Sequence, residues 1–255
     1  MVLAFCELLI LLFANPVFWV RNVRVEGLST LNPQQVFYEA RVPERTNLFR
    51  VLFRQPVIKK SLEQDPVIDH AACLIALPDT LVLRIHERRP YAVLMLGGEY
   101  WLMDKKGIPY RRLTEPVRGL PLLKYIGPIG ETKVVLGSPI RQTWVLESYK
   151  LLALIGDREN LNPQLVTVDQ NSNLCLNRAD NLQIRLGQPD DLPTKLAVAA
   201  ETLAPGGQAR TRNIAYIDVS SPGQPALMLR REGDSKDNGN RIDTGAQDDG
   251  GPEKD

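Results

Sequence analysis

Between Val23 and Ala92 the hydrophobic period starts at two, lengthens to the helical value and returns to two, and each change falls at residues that enforce it. Val23 and Val25 alternate with Arg24 and Glu26, the pattern of a half-buried strand, and Gly27 stops it. Asn32 is a good N-cap and Pro33 fits the first helical position. A helix therefore starts over Ser29 to Pro33, carries Val36, Phe37 and Ala40 on one face, and ends at Pro43. A second helix, about Pro56 to Glu63, places Val57, Ile58 and Leu62 at helical spacing. It must stop near Asp65, because Pro66 disfavours the helical conformation of its predecessor. Ala71 to Ala76 and Leu81 to His86 read as strands joined by Leu77-Pro78-Asp79-Thr80, a turn in which proline pre-sets one dihedral. The order is βααββ.

Five short motifs punctuate that unit in sequence. They are Val23-Arg-Val-Glu-Gly27, Ser29-Thr-Leu-Asn-Pro-Gln-Gln-Val36, Pro66-Val67, Leu77-Pro-Asp-Thr-Leu81 and Glu87-Arg-Arg-Pro-Tyr-Ala92. With them the unit resembles the POTRA domain of the bacterial division proteins FtsQ and DivIB. The resemblance implies an α+β chain: an N-terminal membrane anchor over residues 1–20, a POTRA domain over 21–90 and a mixed β-sheet domain with two helices over 91–230. Residues 231–255 are an acidic tail. From Glu232 to Asp255 it holds eight acids against Lys236, Arg241 and Lys254, a net −5 in a chain whose formal charge is +1, and almost nothing apolar, so it reads as disordered.

Val2 to Val20 contains no Lys or Arg and one acid, Glu7. As a helix it would rise roughly 28 Å, close to the hydrocarbon thickness of a bilayer. A single span fits, with a buried helix of a soluble protein as the alternative; Asn15-Pro16 would kink or end either helix. A cleaved signal peptide lacks its basic start and small-residue cleavage site. Arg21 and Arg24 follow the run and nothing basic precedes it, which by charge alone would leave the bulk of the chain in the cytoplasm. The resemblance implies the reverse, a short cytoplasmic N-terminus and an extracytoplasmic bulk at the division septum of the inner membrane, and so a start codon upstream of Met1.

After Pro90 the pattern turns to strands. Tyr91 to Leu96 and Tyr100 to Met103 flank Gly97-Gly98, and Asp104-Lys-Lys-Gly107 is a turn whose glycine can take a positive φ. Trp144 to Ile155 is an amphipathic helix with Trp144, Val145, Tyr149, Leu152 and Ile155 on its apolar stripe. Leu165 to Val168, Leu174 to Leu176 and Leu182 to Leu186 read as strands, Leu192 to Leu203 as a last helix, and Ile214 to Val219 and Pro225 to Leu229 as closing strands. The β-domain of FtsQ-like proteins is similar in this order. It also carries a lysine in the last helix, here Lys195, and a basic residue where this chain has Ser220.

No catalytic pattern emerges. His70 and His86 have no partner spacing, Cys6, Cys73 and Cys175 lack metal-ligand spacing and read as free thiols, and no phosphate loop or nucleophile elbow occurs. Asp190-Asp191 suits a helix N-terminus. The chain therefore reads as a non-enzyme needing no cofactor or metal, and without a basic stripe it does not read as binding nucleic acid. If Pro225 to Leu229 lies at a sheet edge, its free backbone groups can accept a strand from another protein. The resemblance implies that partner: FtsB-like and FtsL-like division proteins docking on Ser220, Ser221, Gly223, Ala226, Leu227, Met228, Leu229 and Arg230. It implies contacts of the POTRA domain with other divisome components too. The alternative is a POTRA-containing outer-membrane assembly or secretion factor, which usually shows tandem repeats or a barrel pattern.

Overall fold

The computed structural model describes residues 7, 11–42, 46–128, 133–156, 158–204 and 214–229. They build two sheets in chain order. The first unit is β1 (Asn22–Glu26), α1 (Pro33–Ala40), α2 (Leu48–Leu62), β2 (Ile68–Ala76) and β3 (Thr80–Glu87). β3 is central, parallel to β1 and antiparallel to β2. Leu81, Leu83 and Ile85 of β3 meet Val36 and Ala40 of α1 and Leu48, Val51, Ile58 and Leu62 of α2 in one core. Gly27 closes β1 at φ +83°, and a Cβ there would lie 2.2 Å from the Ile85 carbonyl oxygen. Only glycine fits that approach.

Asn32 caps α1 as expected, its Oδ1 accepting the Gln34 N–H at 2.9 Å, and Arg41 ends the helix in the left-handed conformation. Pro43 lies outside the described residues. The second helix corrects the sequence reading: α2 begins at Leu48, two turns before Pro56, with Asn47 Oδ1 accepting the Phe49 N–H at 2.9 Å. Interior proline costs a helix about 3 kcal/mol. Leu48 and Val51 are fully buried by the extra turns, and burial of two such side chains contributes roughly 3–6 kcal/mol. Core packing outweighs the proline.

The second sheet has nine strands: β4 (Ala92–Leu96), β5 (Glu99–Met103), β6 (Pro109–Leu113), β7 (Leu122–Ile126), β8 (Pro163–Asp169), β9 (Leu174–Arg178), β10 (Gln183–Gly187), β11 (Ile214–Asp218) and β12 (Ala226–Leu229). Their order is β12-β11-β10-β9-β8-β7-β4-β5-β6. Helices α3 (Thr143–Ile155) and α4 (Leu192–Thr202) share a core with one face of it. The buried stripe of α3 is Val145, Ser148, Leu151, Leu152 and Ile155, rotated from the expected one, with Trp144 and Tyr149 half-buried at its margin. Ser148 enters the core because its hydroxyl donates to the Trp144 carbonyl at 2.8 Å. β7 is an inner strand paired in parallel with both β4 and β8.

At the N-terminus residues 11–14 are helical. The chain then leaves α geometry at Asn15, which caps a 3-10 turn over Pro16–Phe18. Among the described residues no helix is long and apolar enough to cross a membrane. Residues 1–6 and 8–10 of the expected anchor, with Cys6, lie outside the described residues, as do Arg230 and the acidic tail.

Candidate functional site

The expected docking strand forms the end of the large sheet. Among the described residues β12 pairs antiparallel with β11 alone, and every residue from Ala226 to Leu229 is exposed: Leu227 39%, Met228 43% and Leu229 66%. One row of its backbone groups faces away from β11. The preceding loop is built to hold that strand in place. Asp218 Oδ1 accepts the Ser220 N–H at 3.0 Å and the Ser220 hydroxyl at 2.6 Å, and the Gln224 N–H donates to the Ser221 carbonyl. Ser220, Ser221 and Gly223 are exposed along this loop.

Beneath the loop, Gly187 takes φ +65°, and a Cβ on it would meet the Ser220 Cβ at 2.8 Å. Lys195 of α4 is buried at 2% exposure, with Nζ donating to the Gln188 carbonyl at 2.9 Å and to Asp190 Oδ1 at 2.6 Å. The Lys195 ammonium holds the Asp190 carboxyl below its ordinary range. Asp190 is thus an ion-pair partner rather than a helix cap. Asp191 occupies the cap position without a side-chain bond to the helix backbone, accepting instead the Thr194 hydroxyl at 2.8 Å.

The two described sheets present four edges, and the other three are blunted. β2 is closed by side chains of its own helix and the residue after it: Gln55 Nε2 donates to the Cys73 carbonyl at 2.9 Å, and Glu63 Oε1 accepts the Ala71 N–H at 3.1 Å. β1 carries Arg24 and Glu26, the latter 3.4 Å from Arg84. β6 begins with Pro109, whose carbonyl takes the Gly137 N–H at 2.8 Å, and contains Arg111 and Arg112. Charges, proline and capping side chains are the usual protection of an edge. β12 reads Ala-Leu-Met-Leu, and among the described residues none of these protects it.

The Glu87-Arg88 pair joins the two sheets, a role its sequence did not disclose. Glu87 turns back into the small sheet and accepts the N–H groups of Ser29, Thr30 and Leu31 and the Thr30 hydroxyl at 2.6–3.1 Å. Burial alone would raise its carboxyl, but the Thr30 hydroxyl and the three amides overcome that and hold it at about 2. Arg88 turns the other way. Its Nη1 lies 2.7 Å from Asp104 Oδ2 and 3.0 Å from Asp69 Oδ1, with the Arg88 and Asp104 side chains only 9% and 7% exposed. Asp104 Oδ1 also accepts the Lys106 and Ile108 N–H groups, so the expected turn residue doubles as the counter-ion. Lys106 donates to Asp69 at 2.7 Å and lowers its carboxyl.

His70 and His86 are exposed and stacked on one another at 6.2 Å. Cys73 and Cys175 are free thiols that burial pushes up to about 11. Among the described residues no group of His, Cys, Asp and Glu could hold a metal ion.

Residues 18–88 match the family model of the POTRA domain, FtsQ-type. Over 228 residues, 89% of each chain, the sequence is 24% identical to the cell division protein DivIB of Clostridium acetobutylicum. It is 24% identical to DivIB of Clostridium tetani across 88% of this chain and 84% of that one. The matched POTRA domain and the similarity over most of the chain support the FtsQ/DivIB family. The cell division protein FtsQ of Syntrophotalea carbinolica is a further relative, 24% identical over 82% of this chain and 73% of its own. The motifs of an FtsQ/DivIB POTRA unit thereby acquire physical causes here: Gly27 for close approach to Ile85, Glu87 for the α1 entry loop, Arg88 for the second sheet.

Proposed function

We propose that the chain is a non-catalytic scaffold of bacterial cell division, held at the inner membrane by its N-terminal apolar segment with both sheets on the extracytoplasmic side. Its β12 edge accepts a strand from small membrane-anchored division proteins of the FtsB and FtsL kind, and through that contact it links early and late components and regulates septal peptidoglycan synthesis. The POTRA unit contributes contacts to other divisome components. The cell division names of its relatives support the setting. The observation that carries the mechanism is β12 itself, the one described sheet edge with neither charge, proline nor side-chain cap. Main-chain bonds along β12 would supply register, while Leu227 and Leu229 on one face and Met228 on the other would supply selectivity.

The test is co-purification of the full chain in mild detergent with the extracytoplasmic segments of the same organism's FtsB-like and FtsL-like proteins. Capture by the parent, lost in Leu227→Glu/Leu229→Glu with an unchanged circular dichroism spectrum, is expected. Capture that survives both charges would move the docking site away from β12.

A further inference from the structure

Helix α2 has two apolar faces. The inner one, Leu48, Val51, Ile58 and Leu62, is the core. The outer one runs along Phe49, Phe53 and Val57, residues four apart and therefore aligned on the opposite side. Phe53 is 75% exposed and Val57 69%. The segment Leu48–Leu62 contains four cations, Arg50, Arg54, Lys59 and Lys60, and no acid. Arg50, Arg54 and Lys60 are exposed, so the outer stripe is an aromatic and aliphatic ridge among positive charges.

The rings that meet this ridge come from the end of the N-terminal apolar run. Phe13 lies 6.0 Å from the Phe49 ring and 6.3 Å from the Phe53 ring, and Phe18 packs edge-on to Phe49 at 5.2 Å. Asn47 Nδ2 donates to the Leu12 carbonyl at 2.9 Å, and Trp19 bridges to Asn47. The ridge thus packs against Leu12, Phe13, Phe18 and Trp19, the end of the 2–20 apolar segment. A convex ridge of aromatics flanked by Arg and Lys has the chemistry of a helix lying in the headgroup region, with rings at the acyl boundary and cations on anionic headgroups.

We infer that α2 is a membrane-contact helix: its Phe49, Phe53 and Val57 ridge rests on the surface of an anionic phospholipid bilayer, and Arg50, Arg54 and Lys60 bind the headgroups. The POTRA unit is then seated on the membrane rather than suspended above it. The inference requires the chain to be held at a bilayer, as in the proposed function, and is independent of the β12 contact.

The experiment places tryptophan on the ridge. Full-chain Phe53→Trp and Val57→Trp are reconstituted into nanodiscs of phosphatidylglycerol and phosphatidylcholine carrying bromine on the upper acyl chain, and fluorescence quenching is compared with the parent, whose Trp19, Trp101 and Trp144 set the baseline. Leu146→Trp, at an exposed position of α3, is the control. Both ridge variants are expected to add quenchable fluorescence, the control none. The gain should largely disappear in pure phosphatidylcholine and in the Arg50→Glu/Arg54→Glu/Lys60→Glu background. Incorporated protein whose ridge tryptophans gain no quenching overturns the inference and leaves the anchor reading intact. Protein that does not enter nanodiscs at all overturns both. A ridge protected instead in proportion to protein density, with dimers in detergent, would assign the ridge to a second copy and overturn the membrane contact.

Discussion

β2 and β12 are both terminal strands of a sheet, and they treat their free backbone groups in opposite ways. On β2 the outward Ala71 N–H and Cys73 carbonyl are taken by Glu63 and Gln55, side chains that α2 brings alongside as it packs. On β12 four exposed residues carry no charge, and no side-chain bond to their backbone is found among the described residues. An uncapped apolar edge is a liability in a soluble domain. Retained beside a loop braced by Asp218, it is better explained as a binding edge than as unfinished packing.

The comparison can be broken first at the closed unit, by detaching it from the sheet that carries β12. Removing the carboxylate in Asp104→Ala leaves the buried Arg88 guanidinium to Asp69 and the Pro66 carbonyl, takes the acceptor from the Lys106 and Ile108 N–H groups, and should lower unfolding stability in urea by about 3 kcal/mol; a loss under about 1 kcal/mol would show the junction to be solvated. Glu87→Gln comes next, at about 2 kcal/mol near neutral pH, since it weakens several charge-assisted bonds. Because the Glu87 carboxyl sits at about 2, below its ordinary 4.5, its contribution is present in full above 4.5 and is lost as pH falls toward 2. The stability gap between parent and variant should therefore be constant above about pH 5 and close on acidification; a gap independent of pH contradicts the assignment. Uncapping β2 with Gln55→Ala should cost about 1 kcal/mol and speed exchange of amides around Cys73. Smallest in stability is Leu227→Glu/Leu229→Glu, within about 0.5 kcal/mol of the parent, because both side chains already face water.

Period and punctuation made the element order of the small unit legible. Asn32-Pro33, the Leu81, Leu83 and Ile85 alternation and Leu77-Pro-Asp-Thr all act locally, and local rules read them correctly. Pro56 misled because its local cost is outweighed by burial of Leu48 and Val51, which no pattern upstream of it announced. The β12 edge could be framed only as a condition, since whether a strand is terminal depends on partners many residues away. Arg88, Asp69 and Asp104 come together only across the two sheets, and Lys195 finds Gln188 and Asp190 only once α4 has docked. Adjacent opposite charges before Pro90, and a lone lysine on an apolar helix face, were the available signals.

The most direct measurement is hydrogen exchange of the full chain, alone and with the extracytoplasmic segment of an FtsB-like partner. Fast-exchanging β12 amides in the free protein that become strongly protected in the complex, while those of β2 are slow in both, is the predicted result. β12 amides already protected without a partner, or protection on binding that falls elsewhere, would contradict the account.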